Sequence, residues 1–262
     1  MADDLAIALE LADVADEITL GRFRASDLIV DTKPDMTPVT EADRAAEEAL
    51  RARLAEAKPG DDVLGEEFGS SGDGGGRRWI IDPIDGTKGY VRGMPVWATL
   101  LALEVDGKSE LGVVSAPALG RRWWASRGGG AWLADGLSRE PRSLRVSAVP
   151  SLGDSQLCYG GLEDWEDAGR DLGLFLELAR RCWRTRGVGD VWSYMLVAEG
   201  AAEIGLDPIG SLWDLAAPRA IVEEAGGRFS DFSGAARADG GSGLATNGLV
   251  HDSVLEIIGP PR

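Results

Sequence analysis

Apolar residues recur at helical spacing at the start of the chain. Residues 5–23 place leucine, alanine and isoleucine at intervals of three or four, which predicts a helix. A second helix is predicted after Thr40, where the alanines and leucines of residues 45–54 share one face. Residues 31–38 between them are polar and contain prolines, so this segment is predicted to be a loop.

Short apolar runs, which are typical of strands, follow in the first half of the chain. Strands are predicted at residues 63–64, 79–81, 96–105, 111–116, 122–125 and 131–133. Asp106-Gly107 is predicted to turn between two of them, and the Gly/Ser-rich residues 70–76 are predicted to form a mobile surface loop.

Helical and strand patterns alternate in the second half. Helices are predicted at residues 172–181, 190–199, 213–225 and 250–258, and strands at 201–206, near 229 and at 244–246. The chain has no internal repeat. This order of elements indicates a layered α+β protein.

The composition limits the partners. A formal net charge of −17 repels nucleic acid and anionic membranes, so neither is expected to bind. No apolar run approaches the roughly 20 residues that a membrane span needs. Cys158 and Cys182 lie far apart and follow no metal-binding pattern, so they are expected to be reduced thiols in a cytoplasmic protein.

The chain has a single histidine, His251. One copy cannot build a histidine-based zinc site, and a Ser-His-Asp triad would have to use this residue. Its place near the start of the last predicted helix makes it, by expectation, a plain surface or capping residue.

The densest chemical pattern is Asp82-Pro83-Ile84-Asp85-Gly86-Thr87, directly after an apolar strand. Proline keeps Asp82 extended, and Gly86 allows a sharp turn. Two carboxylates, a hydroxyl and main-chain carbonyls therefore emerge together, as hard cations require. Taken alone, the pattern is also that of a solvated Asp/Gly turn.

Three weaker patterns accompany this motif. Glu66 and Glu67 end another short strand, although paired glutamates are usually surface charge. Asp214 lies in the first turn of a predicted helix, where acidic residues are favoured by the helix dipole. Asp43 is placed to form a capping box with Thr40. Each of the three has an ordinary structural explanation.

Together these residues resemble the inositol monophosphatase family of metal-dependent phosphatases. The resemblance covers residues 4–252 and rests on two signatures. The first is the motif at residues 82–87, and the second is Trp213-Asp214-Leu215-Ala216 followed by Glu224-Ala225-Gly226-Gly227.

The family implies a layered αβαβα fold and a homodimer. Residues 1–145 would form an N-terminal α+β half with most metal ligands, and residues 146–262 a C-terminal half that closes the substrate pocket. The implied reaction is hydrolysis of a phosphate monoester by a metal-activated water.

The resemblance also implies roles for single residues. Glu66, Asp82 and the Ile84 carbonyl would hold one Mg²⁺, and Asp82, Asp85 and Asp214 a second, with a looser third near Glu66 and Asp43. The implied catalytic residues are Asp43, Glu66 and Thr87, of which Thr87 would orient the attacking water. Asp85 and the Gly86 and Thr87 amides would contact the substrate.

Other enzyme classes fit the motif less well. The aspartyl nucleophile motif of haloacid-dehalogenase-like phosphatases needs an acid where this chain has Ile84. Gly86-Thr87-Lys88 lacks the rest of a P-loop. A non-catalytic dimer that merely binds metal remains an alternative, which phosphate release in the presence of Mg²⁺ would distinguish.

The substrate is predicted from finer details. The stretch Gly93-Met94-Pro95-Val96-Trp97 and the run Arg121-Arg122-Trp123-Trp124 are similar to the histidinol-phosphate phosphatase branch of the family. We therefore expect L-histidinol phosphate as the substrate, in histidine biosynthesis. An inositol-1-phosphatase or a broad sugar phosphatase is the alternative.

The residues expected around that substrate are Arg186, Asp190 and Asp207. Asp190 and Asp207 could pair with a cationic group, and Arg186 could support the phosphate or order Asp190. Asp190 could instead cap its helix, and Arg186 could form a structural ion pair. Lys33, in the proline-containing loop, is expected to approach the site as part of a lid.

Overall fold

A computed structural model of the chain describes residues 2–34, 36–72, 74 and 76–259. The helices are α1 (Ala2–Arg22), α2 (Glu41–Ala57), α3 (Thr87–Val91), α4 (Glu163–Asp167), α5 (Leu172–Arg181), α6 (Trp192–Ala198), α7 (Leu212–Glu224) and α8 (His251–Ile258). The strands are β1 (Val30–Thr32), β2 (Pro38–Thr40), β3 (Asp62–Gly65), β4 (Gly69–Ser71), β5 (Arg77–Asp85), β6 (Ala98–Val105), β7 (Lys108–Ala116), β8 (Arg121–Ser126), β9 (Gly130–Ala134), β10 (Arg142–Ser143), β11 (Gln156–Tyr159), β12 (Arg184–Gly187), β13 (Ile204–Asp207), β14 (Arg228–Ser230) and β15 (Gly243–Thr246).

The strands form two large sheets and a hairpin. Eight strands pair in the order β10-β9-β8-β7-β6-β5-β3-β4, and five pair in the order β12-β11-β13-β15-β14. In the larger sheet β3 and β5 are parallel, whereas the other neighbours are antiparallel. Within the described ranges, β1 and β2 pair only with each other.

Helices cover both sheets in five layers. Ile81 of β5 faces α1 and α2, and its neighbour Ile80 faces α6 and α7, because side chains alternate along a strand. The middle helices α6 and α7 separate the two sheets. Helices α5 and α8 pack on the outer side of the smaller sheet. This arrangement confirms the predicted αβαβα layered α+β fold, whereas the division at residue 145 stays a prediction.

Local signals in the sequence account for several elements. Helix α2 begins at the predicted place, where Thr40 and Asp43 form a reciprocal capping box. Asp106 and Gly107 form the predicted turn, both with positive φ. Cys158 is buried and Cys182 is half-buried, and both are free thiols. No helix within the described ranges is long and apolar enough to cross a membrane.

Three predictions need correction. Residues 31–38 do not form a plain loop, since β1 and β2 pair across this segment. Within the predicted loop at 70–76, Ser70 and Ser71 belong to β4, and residues 73 and 75 lie outside the described residues. His251 is not a surface residue, because it is fully buried and its ring nitrogens lie 2.9 Å from Ser230 Oγ and Thr246 Oγ1. Burial lowers the pKa of His251 to about 4.

Candidate active site

Strand β5 carries the acidic motif, and the strand continues through it rather than ending before it. Its pairing with β6 shifts between Asp82 and Asp85, at Pro83, which cannot donate to a ladder. Thr99 Oγ1 of β6 instead donates to the Pro83 carbonyl at 2.8 Å. Residues three positions apart point to opposite faces of a regular strand, so this irregularity lets Asp82 and Asp85 both point toward the same cluster of carboxylates.

Gly86 ends the strand in a left-handed conformation, with φ of 86°. A Cβ at this position would lie 3.1 Å from Asp190 Oδ2 and 3.2 Å from the Val96 carbonyl oxygen. Only glycine therefore fits without strain, and its turn starts α3 at Thr87.

Asp214 reaches the motif from α7. Its carboxylate accepts a hydrogen bond from the Ser211 amide at 2.7 Å, in a capping box that fixes the first turn. Ligand atoms of Asp82, Asp85 and Asp214 all lie within 4.8 Å of one another. Asp214 thus caps its helix, and its carboxylate also lies beside the other predicted metal ligands, so the two interpretations of its sequence position are compatible.

Glu66 follows β3, next to β5. Its amide donates to the Ile81 carbonyl at 3.1 Å. Lys33 Nζ lies 2.7 Å from Glu66 Oε1 and 2.7 Å from Glu67 Oε1, so Lys33 reaches the site as expected, whereas its lid role stays a prediction. These two ion pairs raise the pKa of Lys33 against the effect of burial.

Thr87 lies between two oxygen acceptors. Its Oγ1 is 2.8 Å from the Ile84 carbonyl oxygen and 3.3 Å from Asp43 Oδ1. Asp43 is buried, and its Oδ2 accepts hydrogen bonds from the amide and hydroxyl of Thr40 at 2.8 and 2.6 Å. The structure therefore places the two implied catalytic residues Asp43 and Thr87 within hydrogen-bond distance, although the single hydroxyl proton of Thr87 has a second acceptor in the Ile84 carbonyl.

Carboxylates raise one another's pKa throughout the cluster. Burial, followed by Glu66, Asp85 and Asp214, raises the pKa of Asp82 well above its ordinary value. Burial, followed by Asp190 and Asp214, does the same for Asp85. Burial raises the pKa of Asp214 to about 7, against the Ser211 amide. These groups cannot all ionise at neutral pH without a compensating cation.

The donor set fits a hard divalent cation. Several carboxylate oxygens converge, and the Ile84 carbonyl lies beside them within hydrogen-bond distance of Thr87. Magnesium prefers oxygen ligands of this kind. The acidic cluster can therefore bind metal, and Mg²⁺ would lower the mutual repulsion that the raised pKa values report.

The cluster opens into a cavity of about 540 Å³. Gly86 and Thr87 line it near the carboxylates, and Asp190 and Asp207 line it as well. Burial raises the pKa of Asp207 to about 7. Asp190 does not cap α6, because Val191 occupies the N-cap position and donates its amide to Asp85 Oδ2 at 2.8 Å.

Arg186 lies elsewhere. Its side chain is exposed on β12, its Nη1 donates to the Thr185 carbonyl at 2.7 Å, and it does not line the described cavity. The expected contact of Arg186 with substrate gains no support within this chain and stays a prediction.

Other residues at the cavity were not anticipated from the sequence. Gly160, Gly161 and Asp164 follow β11 and line the wall near Asp207, and Tyr194 of α6 lines it too. The run Leu157-Cys158-Tyr159 followed by two glycines and Glu163-Asp164 is itself a strand end with acids, so the sequence did hold a signal for this wall.

Comparisons with known proteins bear on the family and the fold. Residues 1–258 match the model of the inositol monophosphatase family. The chain is 55% identical over 254 residues to a histidinol-phosphatase of Mycobacterium tuberculosis, covering 97% of this chain and 96% of the relative. It is 53% identical over 257 residues to a histidinol-phosphatase of Streptomyces coelicolor, with 97% and 96% covered. A solved Thermotoga maritima IMPase superimposes with a TM-score of 0.85 at 30% identity, covering 98% of this chain and 96% of that one.

Proposed function

The chain belongs to the inositol monophosphatase family, and from that premise we propose that it is a Mg²⁺-dependent histidinol-phosphatase. It is a phosphoric monoester hydrolase, and the reaction converts L-histidinol phosphate to L-histidinol and phosphate. The observation that carries the proposal is one cavity with two acidic regions, the cluster of Asp82, Asp85 and Asp214 and the wall with Asp190 and Asp207.

The two regions suit the two ends of this substrate. Glu66, Asp82, the Ile84 carbonyl, Asp85 and Asp214 would hold Mg²⁺ as two ions, with a looser third near Glu66 and Asp43. The metal would lower the pKa of water and stabilise developing negative charge. The wall with Asp190 and Asp207 offers carboxylates to the nitrogen groups of histidinol. A phosphate ester of a basic amino alcohol therefore fits both regions.

The chain's own residues position the reactants. The Gly86 and Thr87 amides, at the turn into α3, bind the phosphate, and Asp85 contributes to the same surface. Thr87 can accept a hydrogen bond from the attacking water while it donates to Asp43 or to the Ile84 carbonyl. Glu66 orients the same water from the neighbouring strand end, which makes Asp43, Glu66 and Thr87 the proposed catalytic residues.

Steady-state kinetics with Mg²⁺ test the substrate. We expect kcat/KM for L-histidinol phosphate to exceed that for inositol 1-phosphate by about a hundredfold or more, a difference of roughly 2.7 kcal/mol in transition-state binding. Asp190→Asn should lower the preference, whereas Asp167→Asn, an exposed control on α4, should keep it. Equal rates for the two esters, or faster hydrolysis of inositol 1-phosphate, would reject the histidinol assignment and leave phosphatase activity intact.

A homodimer in the cytoplasm completes the proposal. The family resemblance supports the dimer, and the two free thiols are compatible with a reducing compartment. Light scattering after gel filtration should give twice the 27.7 kDa of one chain. A mass of a single chain at micromolar concentration would reject the dimer.

A further inference from the structure

Lys88 is the one basic residue among the described residues that line the cavity. Seven of the other lining residues are Asp or Glu, so the cavity carries an excess of negative charge. Mg²⁺ at the acidic cluster would leave the charge of the wall with Asp190 and Asp207 in place, and a cavity of that sign repels a phosphate ester. A cation on the protein side is therefore needed where phosphate meets this wall.

The ammonium group of Lys88 has no structural partner in the fold. The side chain is exposed on α3, and it forms no ion pair or hydrogen bond with the part of the chain that the structure describes. Lys33, by contrast, is held by Glu66 and Glu67. The three N–H donors of Lys88 are therefore available to a ligand in the cavity.

Lys88 lies where the phosphate end of the cavity meets the acidic wall. It follows Thr87 directly, so it flanks the turn whose Gly86 and Thr87 amides are proposed to bind phosphate. Asp190 reaches the same turn from the other side, since a Cβ at Gly86 would lie 3.1 Å from Asp190 Oδ2. One carboxylate of the wall is therefore close to the phosphate-binding turn.

The position of Asp190 is fixed, and Lys88 acts on it through charge. Asp190 has a φ of 50°, and the amide of the next residue, Val191, donates to Asp85 Oδ2 at 2.8 Å. Desolvation raises the pKa of Asp190, and the positive charge of Lys88 opposes that rise. Lys88 therefore lowers the repulsion between Asp190 and a phosphate, and it also weakens the attraction of Asp190 for a cation.

We propose that Lys88 is a specificity-determining residue whose ammonium group binds a phosphate oxygen of the substrate and offsets the charge of Asp190, so that the cavity prefers the phosphorylated substrate to the product L-histidinol. The proposal rests on the proposed function and adds a residue to its phosphate end. It implies opposite effects on the two products, since Lys88 favours the binding of phosphate and disfavours that of L-histidinol. A lysine that serves only solubility would affect neither.

The test compares Lys88→Met with Lys108→Met. Methionine keeps much of the length of lysine without its charge, and Lys108 is an exposed lysine that does not line the cavity. Calorimetry on the Mg²⁺-loaded protein measures the binding of inorganic phosphate and of L-histidinol separately. We expect Lys88→Met to bind phosphate about tenfold more weakly, because a charge-assisted hydrogen bond is lost, and L-histidinol about two- to threefold more tightly.

Two further variants separate charge from structure. Lys88→Arg keeps the positive charge and should bind phosphate within about threefold of the wild type. In the Asp190→Asn background, adding Lys88→Met should no longer tighten the binding of L-histidinol, because the lysine then has no carboxylate to offset. Weaker binding of both products by Lys88→Met, together with a lower Tm, would make Lys88 a structural residue and overturn the proposal.

The outcomes distinguish the two proposals. If the wild type hydrolyses histidinol phosphate and Lys88→Met binds both products as Lys108→Met does, only the role of Lys88 is rejected. If the wild type hydrolyses inositol 1-phosphate but neither hydrolyses histidinol phosphate nor binds L-histidinol, the substrate assignment and the preference over L-histidinol are both rejected. The phosphate titrations need no turnover, so they support or reject the phosphate contact of Lys88 in either case.

Discussion

Two buried carboxylate centres beside β3 have opposite surroundings. Glu47 of α2 is fully buried, and it accepts hydrogen bonds from Arg51 Nε and the Glu67 amide, both at 2.7 Å, and from the Phe68 amide at 3.2 Å. Asp82 is equally buried, and it accepts from the Ile84 amide at 3.0 Å while it faces other carboxylates.

The difference shows that burial alone does not identify an ion site. A buried carboxylate with a cation and amides around it is a structural element, and here Glu47 holds the turn that follows β3. The carboxylates of the acidic cluster also accept backbone amides, but they repel one another and have no cation within the cluster to offset that repulsion, as a bound metal ion would. Changes at the two centres should therefore have opposite effects.

Asp82→Asn should have the largest effect on activity. Loss of a ligand predicted to bridge two ions should lower kcat by about a thousandfold or more, as expected when metal-supplied charge stabilisation is lost. The same change relieves repulsion, so the Tm measured in EDTA should rise. Activity above a tenth of the wild-type value, with the exposed Asp167→Asn as control, would contradict the role of Asp82.

Glu47→Gln should instead destabilise the fold. Glutamine cannot form the ion pair with Arg51, and its neutral side chain is a poorer acceptor for the Glu67 and Phe68 amides. The free energy of unfolding should therefore fall by about 2–3 kcal/mol. Urea unfolding measures this loss. The control is Glu48→Gln, at an exposed neighbouring residue, which should leave the free energy of unfolding nearly unchanged. Full recovery of the lost stability on adding Mg²⁺ would mean that Glu47 belongs to the metal centre.

Lys33→Ala should have the smallest effect. The ammonium group contacts Glu66 and Glu67, and such partly exposed ion pairs contribute roughly 0.2–1 kcal/mol, so kcat/KM should fall by about 1.4- to fivefold. Lys58→Ala, which removes ion pairs with Asp3 and Asp4 outside the cavity, is the control. An unchanged KM and kcat in Lys33→Ala would reject a lid role for the hairpin.

The sequence predicted elements whose signals are local. The capping box at Thr40 and the apolar runs of β5 to β9 required only neighbours in the chain, and the order of elements indicated the layers. The hairpin of β1 and β2 was missed because its prolines suggested a loop. Strand β12 was missed because it carries two arginines, Arg184 and Arg186.

Features that depend on distant contacts could not be predicted. His251 stands at a helix start like a capping residue, and only its contacts with Ser230 and Thr246 explain its burial. Glu47 and Arg51 have the spacing of a surface pair on a helix, and the amides that donate to Glu47 come from another part of the chain. The motifs predicted which residues form the acidic cluster, but not that Tyr194 would lie at the same cavity.

The most direct test of the acidic cluster is calorimetric titration of the metal-free protein with Mg²⁺ at pH 7 in two buffers of different ionisation enthalpy. Because the pKa of Asp214 is raised to about 7 and that of Asp82 is raised well above its ordinary value, we expect the metal-free cluster to hold protons that the metal must displace. We predict release of about one proton or more per chain and weaker Mg²⁺ binding at pH 6 than at pH 8, since protons compete for the same oxygens. Binding without proton release and with equal affinity at both pH values would contradict the account.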